Sequence, residues 1–201
     1  MGSPRARRRA RRAVPGRAAG AARGLIHTVG HSTRERDELV ALLRAHGVDA
    51  LADVRRFPGS KRLPHFNAEA LGAALPAEGI AYEHYVELGG RRSRVPGSPN
   101  GGWEVAAFQG YADHMASEEF ARGLERLEAW ARERSVAVMC AEAPWWRCHR
   151  RLLADALLVR GHEVRHIVDG RAGSDPAPHE LTEFAHVEDG RLTYPPAQLS
   201  F

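Results

Sequence analysis

Five residues that can do chemistry fall within eleven positions: Cys140, Glu142, Cys148, His149 and Arg150. The apolar run Val136-Ala137-Val138-Met139-Cys140 reads as a buried strand, and Leu152, Leu153, Ala156 and Leu157 repeat at helical spacing after Arg150. Cys140 and Glu142 therefore finish a strand, and Cys148-His149-Arg150 opens a helix. A helix start offers free N–H groups and partial positive charge, which favours an anion and raises the thiolate fraction of a nearby cysteine. Arg150 adds a bidentate clamp for a phosphate or carboxylate. Four readings of the two cysteines stay open: a nucleophilic or redox thiol, a disulfide across the intervening loop, a metal site completed by His149 and a distant ligand, and plain core packing.

Three other strand ends carry comparable residues. Leu25 to Val29 is followed by Gly30, His31 and Ser32. Ala50 to Val54 ends in Asp53, Arg55 and Arg56. A strand over Ile80 to Val86 leads to Glu87, Gly89 and Gly90. Asp53, Glu87 and Glu142 form a set of acids that can divide nucleophile and acid/base roles when their environments separate their pKa values. The competing reading pairs them with arginines. His31 has the chemistry of a proton carrier near neutral pH. Arg91, Arg92 and Arg94 lie in a long irregular stretch that ends near Gly102 and can bind phosphate. Trp145 and Trp146 can stack on a ring.

These residues need a scaffold that brings strand ends together. Strand, helix and strand follow within about thirty residues from Leu25 to Val54, with Leu39, Leu42 and Leu43 on one helix face and Gly47 closing it; that is a βαβ unit, hence parallel pairing. Ser32 to Glu35 has capping-box form. Further helices are predicted at Asn67–Leu75, from Phe108 to Met115, and after the cap Ser117 with Phe120, Leu124, Leu127 and Ala131 on one face. Val164 to Val168 reads as a strand, residues 171–182 as irregular, and Asp189-Gly190 as a hairpin turn. The predicted fold is an α/β three-layer sandwich with a mainly parallel sheet, its site at the carboxyl ends of the strands. The organisation is an Arg-rich disordered tail over 1–23, one α/β domain over 24–170, and a C-terminal extension over 171–201 with a small hairpin.

Several separated motifs stand in the order of one known family: Thr28-Val29-Gly30-His31-Ser32, Asp53-Val54-Arg55, Phe57-Pro58, Phe66-Asn67, Glu87-Leu88-Gly89-Gly90, Tyr111-Ala112-Asp113, and Cys140-Ala141-Glu142 with Cys148-His149-Arg150. From Leu25 to Val168 the chain resembles the domain of unknown function 488 family. The resemblance implies a compact α/β domain and a site built from these residues, and names no reaction.

Charge narrows the partners. Arg5, Arg7, Arg8, Arg9, Arg11, Arg12, Arg17 and Arg23 carry eight positive charges; removing them from a formal net charge of +4 leaves −4 for the remainder. The tail, not the domain, makes the chain basic, and its expected contribution is weak phosphate contact. Lys61 is the only lysine, so the arginine richness reflects a general preference for arginine. No stretch of 18 apolar residues and no signal peptide is visible, and two cysteines do not make a secreted scaffold; a cytoplasmic protein without membrane contact is expected. Walker, Rossmann, zincin and nucleophile-elbow motifs are absent. The leading expectation is an enzyme acting on an anionic small molecule or nucleic acid, by hydrolysis or transfer at a glycosidic or related bond. Its catalytic set is Glu142, Asp53, Cys140, Cys148, His31 and Glu87, and its binding set Gly30, Ser32, Arg55, Gly89, Gly90, His149 and Arg150, with no metal and no cofactor. Cysteine-based thiol or metal chemistry, and a non-catalytic binding module, are the alternatives. Oligomeric state is left open.

Overall fold

The computed structural model describes residues 23–168 and 174–197; the predicted disordered tail falls almost entirely outside them. The elements alternate: β1 (Arg23–Gly30), α1 (Arg36–Ala45), β2 (Ala50–Asp53), α2 (Ala68–Ala74), β3 (Ala81–His84), α3 (Ala106–His114), α4 (Glu118–Ala131), β4 (Val136–Cys140), α5 (Arg150–Val159) and β5 (His162–Ile167), followed by the short strands β6 (Ala177–Pro178), β7 (His186–Glu188) and β8 (Arg191–Thr193). A six-stranded sheet runs in the order β3-β2-β4-β1-β5-β6. All pairings in it are parallel except β5 with β6. Strands buried on both faces explain the continuous apolar runs.

The two faces follow from alternation of side chains along each strand. Val29, Leu51, Ala137 and Met139 pack with Leu39, Leu42 and Leu43 of α1 and Leu71 of α2. Ile26, Ala52, Val136, Val138 and Cys140 pack on the other side with Phe120, Leu124 and Leu127 of α4 and Leu152, Leu153 and Leu157 of α5. Helices on both faces make the predicted α/β sandwich of three layers. Ser117 caps α4 by accepting the Phe120 N–H at 3.2 Å.

Local details differ from the sequence reading. The first helix starts later than Ser32: Glu35 is its N-cap, and the Glu38 carboxylate accepts the Glu35 N–H at 2.8 Å. Ser32 instead has φ of +52° and its N–H continues the strand ladder to the Ala141 carbonyl. The region read as irregular holds β6, a two-residue edge strand whose Pro178 needs no ladder donor. The C-terminal segment packs into the main core: Tyr194 is fully buried beside Trp103 and Phe184, and its backbone bonds to Asn100 and Gly102. Asp189 and Gly190, both at positive φ, join β7 to β8.

Candidate functional site

Neighbouring strands β1 and β4 send their connections to opposite sides of the sheet, β1 towards β2 and β4 towards β5. Such a switch point leaves a crevice at the carboxyl ends. Gly30 and Cys140 are register partners there. A Cβ on Gly30 would fall on the Glu142 carbonyl and come within 2.9 Å of the Arg150 guanidinium, so glycine lets the loop after β4 fold back across β1.

The two thiols meet at this point. Cys140 Sγ lies 2.7 Å from Cys148 Sγ, and both cysteines are buried and free. Cys148 stands just before His149, the N-cap of α5, and its sulfur accepts the Arg150 backbone N–H at 3.3 Å. Arg150 is only 1% exposed. Its Nε donates to Cys140 Sγ at 2.9 Å, one Nη to the Thr28 hydroxyl at 3.4 Å, and the other to the carbonyls of Glu142 and Ala143. Among the described residues no carboxylate pairs with it. A buried cation without an anion is costly, and among the described residues the acidic group that this guanidinium touches is the Cys140 thiol, with Cys148 on the same residue's backbone N–H. Burial opposes ionisation of Cys148, yet the Cys140 hydrogen bond, His149 and the Arg150 charge outweigh it and hold that thiol well below the ordinary cysteine range. Burial and the neighbouring Cys148 push Cys140 the other way. Within the pair these environments favour the thiolate at Cys148 and the proton at Cys140.

His149 completes the arrangement. Its Nε2 sits 3.0 Å from the Val54 carbonyl, so that nitrogen carries the proton, and Nδ1 faces Cys148 Sγ at 3.7 Å. Burial lowers the basicity of this imidazole, but the Cys148 charge raises it further. Tyr111 lies 5.1 Å from its ring, and a Cβ on Gly90 would come within 2.7 Å of Nδ1. Gly90 therefore serves the close packing of His149. Gly89 likewise approaches the Arg56 backbone. Glu142 places Oε2 3.0 Å from Cys140 Sγ while remaining exposed.

The structure gathers the other sequence candidates into a separate cluster. Both oxygens of the fully buried Asp53 are committed: Oδ1 to the Arg55 N–H and Nε, Oδ2 to Arg55 Nη2 at 2.5 Å and the Tyr82 hydroxyl at 2.8 Å. Arg55 also donates to the Phe66 carbonyl and to His31 Nε2 at 3.2 Å. His31 Nδ1 donates to the Ser32 carbonyl at 2.9 Å, and its ring stacks on Phe66 with centroids 4.2 Å apart. Burial and the Arg55 charge drop its pKa to about 4. His31 is a neutral acceptor for Arg55, and its ring nitrogens are both occupied. Glu87 turns to α4, where Arg126 donates to it at 2.9 Å. Arg92 pairs with Glu119 at 3.1 Å, whereas Arg91 and Arg94 are exposed.

Sequence reasoning missed a further group. Thr28, His166, His179 and Asp155 form one buried chain of hydrogen bonds reaching Arg150. Trp145, from the loop between the cysteines, stacks on His166 at 3.9 Å and 7°. The sequence signal was faint: alternation puts Thr28 on the same face as Ile26, but its partner lies 138 positions away.

Cys140, Glu142 and Cys148 set three metal-type donor atoms within 4.8 Å. They fit a cation poorly: three donors fall short of the usual four, and the Arg150 guanidinium already occupies Cys140. Among the described residues no helix is long and apolar enough to cross a membrane. A family model described as "Domain of unknown function DUF488" matches residues 35–157. No curated protein and no solved structure matches the chain.

Proposed function

The chain belongs to the family described as Domain of unknown function DUF488, and from its site we propose a dithiol enzyme of thiol–disulfide exchange, with Cys148 as nucleophile and Cys140 as resolving thiol. One observation carries the reading: among the described residues no carboxylate pairs with the buried Arg150, whose Nε donates to Cys140 Sγ and whose backbone N–H donates to Cys148 Sγ. A thiolate, not the thiol, is the competent nucleophile, and this environment favours its formation.

The step balances as follows. Cys148 S⁻ attacks one sulfur of a substrate disulfide R–S–S–R′, forming Cys148–S–S–R while R′–S⁻ departs with a proton from the His149 imidazolium. Cys140 passes its proton to Glu142, 3.0 Å away, and attacks Cys148 Sγ. The protein disulfide forms, and R–S⁻ leaves with that proton. Two protein thiols have been oxidised and one substrate disulfide reduced to two thiols. An external thiol reductant restores the starting state. The sulfurs already lie 2.7 Å apart, so closing the bond asks for little chain movement.

The substrate is anionic in this reading. Arg56, Arg91, Arg94 and Arg147 stand on the loops after β2, β3 and β4, half-buried or exposed, and no described carboxylate pairs with them. Exposed Trp146 and Phe57 border the same face. The leading expectation of glycosidic chemistry draws on Glu142 or Asp53; the Asp53 oxygens are committed to Arg55 and Tyr82, which leaves Glu142 for that role.

Dithiobis(nitrobenzoate), an anionic aromatic disulfide, tests the reading. The expected result is release of two equivalents of the coloured thiolate per chain at neutral pH, leaving an internal disulfide seen by mass spectrometry. Cys140→Ser should stop at a stable mixed disulfide and one equivalent; Cys148→Ser should react slowly. Equal, slow reaction of both cysteines would overturn the assignment.

A further inference from the structure

Behind the thiols runs a line of buried polar side chains that the exchange chemistry does not use. Asp155 on α5, fully buried, accepts the Thr182 N–H at 2.9 Å, the Tyr194 hydroxyl at 2.8 Å and His179 Nε2 at 2.9 Å. His179 Nδ1 lies 3.0 Å from His166 Nε2, and His166 Nδ1 lies 2.7 Å from the Thr28 hydroxyl. Thr28 Oγ1 in turn faces Arg150 Nη1 at 3.4 Å. The parallel register that sets Thr28 opposite His166 makes the middle contact possible.

The direction of every bond follows from the carboxylate end. A carboxylate only accepts, so His179 carries a proton at Nε2, and with that ring neutral its Nδ1 is bare. Nδ1 can then only accept, so His166 carries its proton at Nε2 and leaves its own Nδ1 bare. That bare nitrogen draws the hydroxyl proton of Thr28, and the Thr28 lone pairs are left facing the guanidinium. In the reverse orientation Thr28 would accept from both His166 and Arg150, and its own proton would have no partner within the chain. Burial, then His179 and Arg150, push the His166 pKa down to about 3, in keeping with a neutral ring. A purely packing role would be met by apolar side chains without the cost of satisfying four buried polar groups. The loop between the cysteines also rests on the chain, through Trp145 stacked on His166 and edge-on to His179 at 5.3 Å.

We propose that Asp155, His179, His166 and Thr28 are positioning residues, a polarised hydrogen-bond chain that holds Thr28 as an acceptor and thereby seats Arg150 against the thiols. The inference rests on the dithiol reading for its effect on reactivity; the seating of Arg150 stands apart from it. Three of the four residues come from β1, β5 and the C-terminal segment, outside the matched residues 35–157, so the C-terminal segment would tune a site to which it gives no reacting atom. The groups facing Cys148 are Cys140, Glu142, His149 and Arg150, with Tyr111 behind the His149 ring; none belongs to the chain, so the chain acts on Cys148 through Arg150 and through the loop that carries Trp145.

The experiment compares the full chain with Thr28→Val and Thr28→Ser. One readout is the pH midpoint of Cys148 alkylation; the other is hydrogen exchange of the Arg150 Nε–H by NMR. Thr28→Val should raise the midpoint by about one pH unit and speed the exchange about tenfold, and Thr28→Ser should restore both. Wild-type values in folded Thr28→Val would overturn the proposal, as would equal effects from Val and Ser. An ordinary thiol midpoint in the unsubstituted protein would sink the dithiol reading alone, because the exchange contrast between Val and Ser still decides the seating of Arg150. Should Thr28→Val fail to fold, ring-nitrogen NMR of the unsubstituted protein decides: His166 and His179 must both be protonated at Nε2 and bare at Nδ1 near neutral pH, and any other tautomer refutes the chain.

Discussion

Replacing Arg150 with methionine separates electrostatics from packing. The guanidinium Nε lies 2.9 Å from Cys140 Sγ, and the residue's own backbone N–H bonds Cys148 Sγ at 3.3 Å. At an effective permittivity of about 20, unit charges about 4 Å apart attract by about 4 kcal/mol, roughly three pK units. Methionine keeps most of the length and the backbone N–H but removes the charge, while burial of Cys148 persists. The Cys140 hydrogen bond and His149 remain, so the Cys148 midpoint should rise by up to about three pH units, and reaction with dithiobis(nitrobenzoate) at pH 7 should slow about tenfold. The fold should respond differently. Removing a cation together with the thiolate that balances it exchanges a buried charge pair for an apolar group, which is often neutral for stability; the unfolding free energy at pH 7 should stay within about 2 kcal/mol of the parent. The assays are alkylation rate against pH and urea denaturation on the same sample. Unchanged reactivity at pH 7 would refute the thiolate–guanidinium argument, and so would a loss of stability with an unaltered thiol titration.

Two further outcomes follow from the second cluster. Asp53→Asn leaves the buried Arg55 without its anion, so it should cost about 3–5 kcal/mol in chemical denaturation while leaving the Cys148 alkylation midpoint unmoved in the folded protein; a shifted midpoint with intact stability would return Asp53 to the reaction. His31, 4% exposed, has its pKa lowered to about 4 by burial and then by Arg55, so between about pH 6.5 and 4 the unfolded chain binds more protons than the folded one. The stability due to this group is complete above about pH 6.5 and falls away as the pH drops through 4, by on the order of 3 kcal/mol. Urea midpoints followed from pH 7 to 4 should show that fall, and His31→Asn should flatten it; an identical pH slope in the variant would refute the assignment.

Much of this molecule was readable from local pattern. The apolar run ending at Cys140, the helical repeat after Arg150 and the βαβ spacing around Asp53 each depend on neighbours within a few residues, where alternation and the 3.6-residue repeat leave their mark. That was enough to predict a mainly parallel α/β sandwich and to place Cys148 at a helix start. The DUF488 family was legible for the same reason, since its motifs lie at those strand ends.

Roles within the site were a different matter. Asp53, Glu87 and Glu142 look alike in sequence; only the fold gives Asp53 to Arg55, Glu87 to Arg126, and leaves Glu142 beside Cys140. His31 sits at a promising strand end, yet stacking on Phe66 and the Arg55 contact make it a buried neutral acceptor. Arg150 was read as an anion clamp, and tertiary packing turned its guanidinium inward onto Cys140 Sγ, Thr28 and the carbonyls of Glu142 and Ala143. Of Thr28, His166, His179 and Asp155, only Thr28 carried a faint local signal, because their meeting depends on strand order, on the register of β1 with β5 and on how the C-terminal segment docks. The sequence by itself determined which residues end strands and begin helices, since those are short-range properties of the chain. Which of them share a hydrogen bond, and which way each proton points, was decided only by the tertiary structure, because burial and long-range contact set charge and direction.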